Sequence, residues 1–110
     1  MQKAIDAFHT HWEELEKRRQ KTGTHVAPYN VAPYYFYYGH RYLAQAIQML
    51  PEKTRAAERE KLMKLVLQVR DKDGTWNDSV FERSRNYGTA MVVLILLNDR
   101  APMPPSLAKK

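Results

Sequence analysis

Three consecutive residues, His40, Arg41 and Tyr42, carry side chains that together could perform acid–base chemistry. An imidazole can act as a general base, a phenol can donate a proton, and a guanidinium can hold an anion. The same residue types also pack and form hydrogen bonds inside helical cores, so a structural role stays open beside the catalytic one. These three are the candidate catalytic residues, and no complete catalytic motif accompanies them, which leaves enzymatic activity undecided.

An aromatic run precedes this triplet, with five aromatic residues in succession at positions 34–38. A helix cannot bury five successive side chains on one face, so some of them must face a cavity, another subunit or a partner. Aromatic walls suit apolar chains and sugar rings. We therefore expect an apolar or sugar ligand, with Tyr35, Tyr38, His40 and Tyr42 as the candidate binding residues.

Other kinds of site find little support in the sequence. The chain has no cysteine, which excludes disulfides, thiolate metal sites and cysteine nucleophiles. His9 and His11 lie two residues apart on a predicted helix, so they point to different faces and make a poor pair of metal ligands. Asp71 and Asp73 are followed by Gly74, a pattern typical of a surface turn. We expect neither a metal site nor a cofactor.

The length of 110 residues fits one small domain. The 18 Lys and Arg outnumber the 12 Asp and Glu, giving a net charge of +6. The densest basic cluster, 17–21, follows Glu13, Glu14 and Glu16, an order that suits the dipole of a helix rather than a nucleic-acid surface. No apolar run is long enough to span a membrane, and the first residues lack the apolar core of a signal peptide. We expect a soluble chain, whose compartment the sequence does not indicate.

Hydrophobic spacing predicts four helices, at 3–20, 34–50, 54–70 and 87–98. The apolar stripe of the second predicted helix follows helical spacing and consists of Tyr35, Tyr38, Tyr42, Ala46 and Leu50, with Leu43 and Ile47 beside them. The predicted loops are 21–33 and 76–86. The expected fold class is all-α: a single domain or fragment of two αα-hairpins, at about 3–50 and 54–98, followed by a Pro-rich tail at 99–110.

The predicted helix at 87–98 is almost wholly apolar, which is typical of a helix that is buried on all sides. Three other helices, two of them strongly charged, would cover it only partly. Repeat proteins show this imbalance because each unit buries its apolar face against its neighbours. We therefore expect the chain to be part of a larger array or to self-associate, with an ordinary four-helix bundle as the alternative.

The turn Asp73-Gly74-Thr75-Trp76 is followed, after a loop, by Tyr87-Gly88-Thr89-Ala90-Met91. This segment resembles the repeat of the prenyltransferase and squalene-oxidase repeat family, in which an Asp-Gly-Ser-Trp turn leads through a loop into a helix opening with Tyr-x-Thr-Ala. The segment 35–46 resembles an aromatic, Gly-His-containing helix of bacterial members. Together these likenesses cover about 34–97. Arg70 departs from the family, which has a Gln at that place.

The resemblance implies stacked αα-hairpins that belong to an (α/α) toroid like that of terpenoid cyclases and protein prenyltransferases. The chain supplies only two of the hairpins that such a ring needs, so it resembles the C-terminal portion of a longer member. The residues that match the structural motif are Asp73, Gly74, Trp76, Tyr87 and Thr89.

The resemblance also bears on function. The Asp-x-Asp-Asp acid motif of squalene-type cyclases is incomplete here, and the zinc site of protein prenyltransferases needs a cysteine that this chain lacks. The expected function is therefore a terminal repeat module without a complete catalytic site, which contributes an aromatic wall to a central cavity and packs on the remaining repeats or on itself. The alternative is a segment of an enzyme that acts on an isoprenoid, like a terpene cyclase, or on a polysaccharide, like the lyases on toroid folds.

Overall fold

Five α-helices make up the protein in a computed structural model that describes residues 1–100. They are α1 (Gln2–Thr10), α2 (Trp12–Arg18), α3 (Tyr35–Gln48), α4 (Glu52–Gln68) and α5 (Ser84–Leu96). The described part contains no β-strand beyond an isolated bridge between Val26 and Val31, which confirms the predicted all-α class. Residues 101–110 of the predicted Pro-rich tail lie outside the described residues.

The first predicted helix is two helices, because the chain leaves helical geometry at His11 (φ −102°, ψ 8°). The prediction of one continuous helix over 3–20 is therefore wrong at this point. The break separates the face of α1, which buries Ile5, from α2, which begins at Trp12. The indole of Trp12 then reaches α3, where it forms a hydrogen bond with His40.

Helix α3 is central, since it contacts α1, α2, α4 and α5. Its buried face repeats at helical spacing and consists of Phe36, Tyr37, His40, Leu43, Ala44 and Ile47. Within the predicted stripe, Tyr38 and Tyr42 are 50% and 55% exposed, whereas Leu50 and the neighbouring Leu43 and Ile47 are buried. Both stripes have helical spacing, and only the position of the neighbouring helices decides which of them is buried.

Helices α3 and α5 run in the same direction. Near their first turns, Tyr34 and Tyr87 line one groove. At the other end, Asn98 donates a hydrogen bond to the carbonyl of Ala44 (3.1 Å) and accepts one from Arg41. Helix α4 connects the end of one helix to the start of the other and therefore runs antiparallel to both.

Helix α5 is buried on one side, at Gly88, Val92 and Ile95. On its other side, Val93, Leu94 and Leu97 are 46%, 45% and 46% exposed. The prediction of a helix buried on all sides is therefore wrong for the described residues 1–100. Helix α3 and the segment around Trp76 cover one flank of α5, Met91 and Leu96 pack partly against the core, and Val93, Leu94 and Leu97 face outward.

The segment around Trp76 holds the start of α5 in place. The indole N–H of Trp76 donates to the carbonyl of Val66 (2.8 Å), and its backbone N–H donates to Oγ1 of Thr89 (3.1 Å). Gly88 lies directly against this backbone, since a Cβ there would overlap the carbonyl oxygen of Trp76 and lie 2.9 Å from its carbonyl carbon. This close approach of two backbones permits only glycine at position 88.

Gly88→Ala should lower the free energy of unfolding by about 2–4 kcal/mol, because α5 must move away from Trp76 to admit the new methyl group. Gly39→Ala is the matched control. Its Cβ would lie 3.3 Å from a ring carbon of Phe8, and alanine also favours the helix by about 1 kcal/mol. Urea denaturation followed by circular dichroism measures both variants. Equal stabilities for the two would contradict the close packing at Gly88.

Candidate functional site

A groove of about 670 Å³ lies where the first turns of α3 and α5 meet two loops. We call it the loop groove, and most of its lining is apolar. Its lining residues are Lys21, Thr22, Gly23, Thr24, Pro33, Tyr34, Asp78, Ser79, Val80, Phe81, Ser84 and Tyr87. The predicted loops 21–33 and 76–86 thus supply most of the walls.

Gln20 connects the two loops that form the groove. Its backbone N–H donates to the carbonyl of Asp78 (2.9 Å), and its side-chain amide donates to the carbonyl of Asn77 (3.0 Å). The same amide lies 3.3 Å from a carboxylate oxygen of Asp71. Gln20 adopts a φ of 58°, so these contacts hold a non-glycine residue in the left-handed region. The sequence signalled none of this, because Gln20 stands at the end of a predicted helix.

Arg18 fixes the loop that follows α2. Its Nε donates to the carbonyl of Val31 (3.1 Å), and one terminal nitrogen donates to the carbonyl of Thr22 (3.0 Å). A single guanidinium thus joins the beginning and the end of the loop. The loop wall of the groove is therefore held by defined hydrogen bonds.

Asp78 is the buried acid of the loop groove. Asp78 is only 2% exposed, and its Oδ2 has no hydrogen-bond partner among the described residues. Burial raises the pKa of this carboxyl from its ordinary range to about 6. Nothing in the sequence singled out Asp78, because an Asn-Asp-Ser run in a predicted loop is typical of an ordinary turn.

A second buried polar group lies in the neighbourhood of Asp78. The hydroxyl of Tyr37 is buried without a hydrogen-bond partner among the described residues. Burial raises the pKa of Tyr37, and the negative charge of Asp78 adds to that rise. Two polar groups without hydrogen-bond partners among the described residues, the Asp78 carboxyl and the Tyr37 hydroxyl, are thus buried next to the groove.

The walls of the groove are aromatic. Tyr34, Phe81 and Tyr87 are each roughly half exposed along it. Burial raises the pKa of the Tyr87 phenol, with a further contribution from Asp78. An acid surrounded by aromatic rings can accept a hydrogen bond or balance the charge of a bound cation.

His40 occupies the core of the protein and is fully buried. Nε2 accepts a hydrogen bond from the indole N–H of Trp12 (2.9 Å), so the proton of the neutral ring is on Nδ1, 2.6 Å from the carbonyl oxygen of Phe36. Burial lowers the pKa of His40 to about 4. Both ring nitrogens thus have partners inside the protein, as in a packed core histidine.

Arg41 and Tyr42 lie in different surroundings from His40. Arg41 donates a hydrogen bond to the side chain of Asn98. Tyr42 is exposed and accepts a hydrogen bond from the hydroxyl of Tyr38 (3.2 Å). The three candidate catalytic side chains therefore do not converge on one point.

The candidate ligand-binding tyrosines also divide into two groups. The rings of Tyr38 and Tyr42 pack edge to face, with centroids 4.8 Å apart, on the exposed side of α3. Tyr35 instead contacts the first loop, where its hydroxyl lies 3.0 Å from Nε2 of His25. The first pair forms an exposed aromatic surface, whereas Tyr35 helps to hold the loop.

The turn motif forms one connected unit. Asp73 accepts hydrogen bonds from the backbone and hydroxyl of Thr75 (3.0 and 2.6 Å) and forms an ion pair with Arg85. Gly74 has a φ of +89°, as its place in the turn requires. Arg70 donates to the carbonyl of Gly74 (2.9 Å), and its guanidinium lies 5.2 Å from the centre of the Trp76 ring. Arg70 therefore holds the turn to the end of α4.

Metal ligands do not gather in the described part of the chain. Within residues 1–100, no three His, Cys, Asp or Glu side chains are close enough to hold an ion. Nε2 of His9 lies 3.4 Å from a carboxylate oxygen of Glu58 on α4. His9 is therefore directed toward α4. Among helices α1–α5, none has the length and apolarity needed to cross a bilayer.

Comparisons with known proteins place no relative beside this chain: no family model, no curated protein and no solved structure matches it. The functional inference therefore depends on the geometry described above.

The free energy of unfolding of Asp78→Asn should increase relative to that of wild type as the pH rises from 4 to 7. A raised folded-state pKa means that the native state binds more protons than the unfolded state between about pH 4 and 6, so wild type loses stability across that window. With a folded pKa of about 6, the difference between variant and wild type should grow by roughly 2–3 kcal/mol.

Urea denaturation at several pH values measures this difference. Asp6→Asn, which alters an exposed carboxyl, is the control and should show a much smaller change. A difference for Asp78→Asn that stays constant from pH 4 to 7 would contradict a buried, unpaired acid.

Proposed function

We propose that the chain is a non-catalytic helical repeat module, built from stacked αα-hairpins of an (α/α) toroid like that of the prenyltransferase and squalene-oxidase repeat family. In this proposal α3 and α5 are inner helices, while α1, α2 and α4 are outer ones. The observation that carries it is the exposed aliphatic side of α5, formed by Val93, Leu94 and Leu97. This side would be covered by further repeats or by a second copy.

The exposed side of α5 has the chemistry of an interface. Val93 and Leu97 are four residues apart and lie on one face of the helix, with Leu94 beside them. Solvated helix faces normally carry charged residues, and α5 has none between Arg85 and its end at Leu96. In repeat proteins such a face is covered by the next unit.

The parallel arrangement of α3 and α5 supports the same proposal. Helices of one ring in a toroid share a direction, and α4 runs the opposite way, as an outer helix would. The Trp76 turn joins α4 to α5, through the bonds to Val66 and Thr89. The likeness of this turn to the family repeat therefore concerns residues that are in contact with one another.

The isolated chain should self-associate, because only other copies are present to cover α5. Sedimentation equilibrium should give a mass that rises above 12.9 kDa with concentration. The double variant Val93→Glu/Leu97→Glu should stay monomeric, since charges on this face oppose its burial.

Leu67→Glu provides the control, because Leu67 is equally exposed (48%) but lies on α4. It should associate as wild type does. A wild-type chain that stays monomeric at several hundred micromolar, or an equal effect of both variants, would contradict the proposal.

The alternative function, a segment of an enzyme that acts on isoprenoids or polysaccharides, is favoured by the exposed pair Tyr38 and Tyr42. The hydroxyl of Tyr38 donates to that of Tyr42 (3.2 Å), and this hydrogen bond raises the pKa of Tyr38. Such a surface could hold an apolar chain or a sugar ring as part of a cavity wall.

Titration with a farnesyl-length alcohol in one series and an acidic oligosaccharide in another tests this alternative by nuclear magnetic resonance. If it holds, one of the two ligands should shift the amide signals of α3, and Tyr38→Ser/Tyr42→Ser should weaken that binding about tenfold. Tyr29→Ser, at an exposed loop position, should leave it unchanged. Shifts that are absent, or that are insensitive to the double variant, would remove this alternative.

A further inference from the structure

We propose that the loop groove binds a small organic ammonium compound, with Asp78 as its counter-charge and Tyr34, Phe81 and Tyr87 as its aromatic walls. This inference is independent of the proposed packing of α5, because it concerns the end of the molecule where the two loops meet.

The carboxyl of Asp78 supplies the first argument. It lines the groove, it is almost completely buried, and its Oδ2 has no hydrogen-bond partner among the described residues. None of the ion pairs within residues 1–100 includes it. Burying an unpaired carboxylate is costly, and a ligand that brings a positive charge to the groove beside it would offset part of that cost.

The aromatic rings supply the second argument. The faces of tyrosine and phenylalanine rings attract cations, and they exclude water from the charge. The guanidinium of Arg83 already lies 4.3 Å from the centre of the Phe81 ring, so a cation is accepted on one of these walls. Among the described residues, no guanidinium lies over the ring of Tyr34 or Tyr87, near the starts of α3 and α5. Both rings are therefore open to a cation of the ligand.

The walls are held in position before any ligand arrives. The hydroxyl of Tyr34 lies 2.9 Å from Nε2 of His25, and its ring packs edge to face on Tyr35 with centroids 4.7 Å apart. Gln20 holds the backbone at Asp78. A preformed site loses less entropy on binding than one that must be ordered.

The size and polarity of the groove define the rest of the ligand. A volume of about 670 Å³ falls within the range of small-molecule sites. Its lining is mainly apolar, so the body of the compound should be aromatic or aliphatic. Lys21 also lines the groove and repels any cation there, so a compound with one ammonium group is opposed less than a compound with two.

A competing explanation is purely structural. Asp78 and the hydroxyl of Tyr37 could belong to one internal polar network that serves the fold. In that case the carboxyl would not interact with ligands, and the affinity of a compound for the groove would depend on its apolar part and not on its charge. Probes of the same shape but different charge separate the two explanations.

The experiment compares three probes of one shape: 2-phenylethylammonium, 2-phenylethanol and 3-phenylpropionate. Each is titrated at neutral pH into the ¹⁵N-labelled 110-residue chain, and binding is followed by amide shifts. We expect the ammonium probe to bind about tenfold more tightly than the alcohol, with shifts at 21–24 and 78–87, and the carboxylate probe to bind most weakly.

Three variants complete the test. Asp78→Asn should reduce the affinity for the ammonium probe to that for the alcohol, and Asp6→Asn should leave it unchanged. Tyr87→Leu should weaken the ammonium probe more than the alcohol, which keeps the test valid if Asp78→Asn alters the loops. Equal affinities for ammonium and alcohol, full binding to Asp78→Asn, or no binding of the ammonium probe at millimolar concentration would each overturn the proposal.

Discussion

The contact between Gly88 and the backbone of Trp76 is the constraint on which the rest of the structure depends. It brings the first turn of α5 against the turn that follows α4, and the indole of Trp76 joins both to Val66. With the start of α5 fixed there, the same side of the helix also packs on α3. The parallel pairing of α3 and α5, and the exposed aliphatic side of α5, both follow from this one close approach.

The same constraint creates the loop groove. Because α3 and α5 start side by side, the loops before them meet, and Gln20 joins them at Asp78. The fold thereby buries a carboxyl whose Oδ2 has no partner among the described residues, at a cost in stability at neutral pH. Unpaired buried acids are frequent at functional sites, which makes the groove a candidate site.

The exposed side of α5 and the loop groove differ in the types of side chain that they present. The aliphatic side of α5 has no charge and suits a permanent neighbour, whereas the groove combines one acid with aromatic rings and suits a small cation. His40, which stands out in the sequence, belongs to neither surface, because Trp12 and Phe36 satisfy both of its nitrogens in the core. Its value to the protein is the connection of α2 to α3.

The sequence by itself determined the helical class, the approximate extents of α3 and α4, and the Asp73–Trp76 turn, because hydrophobic spacing and turn residues act over short distances along the chain. It did not determine which stripe of α3 is buried, the break at His11, or the partners of His40. It also gave no sign of Asp78, whose burial depends on two loops more than 40 residues apart in the chain. These features were decided only by the tertiary structure, because burial and the pKa of a group depend on which distant segments surround it.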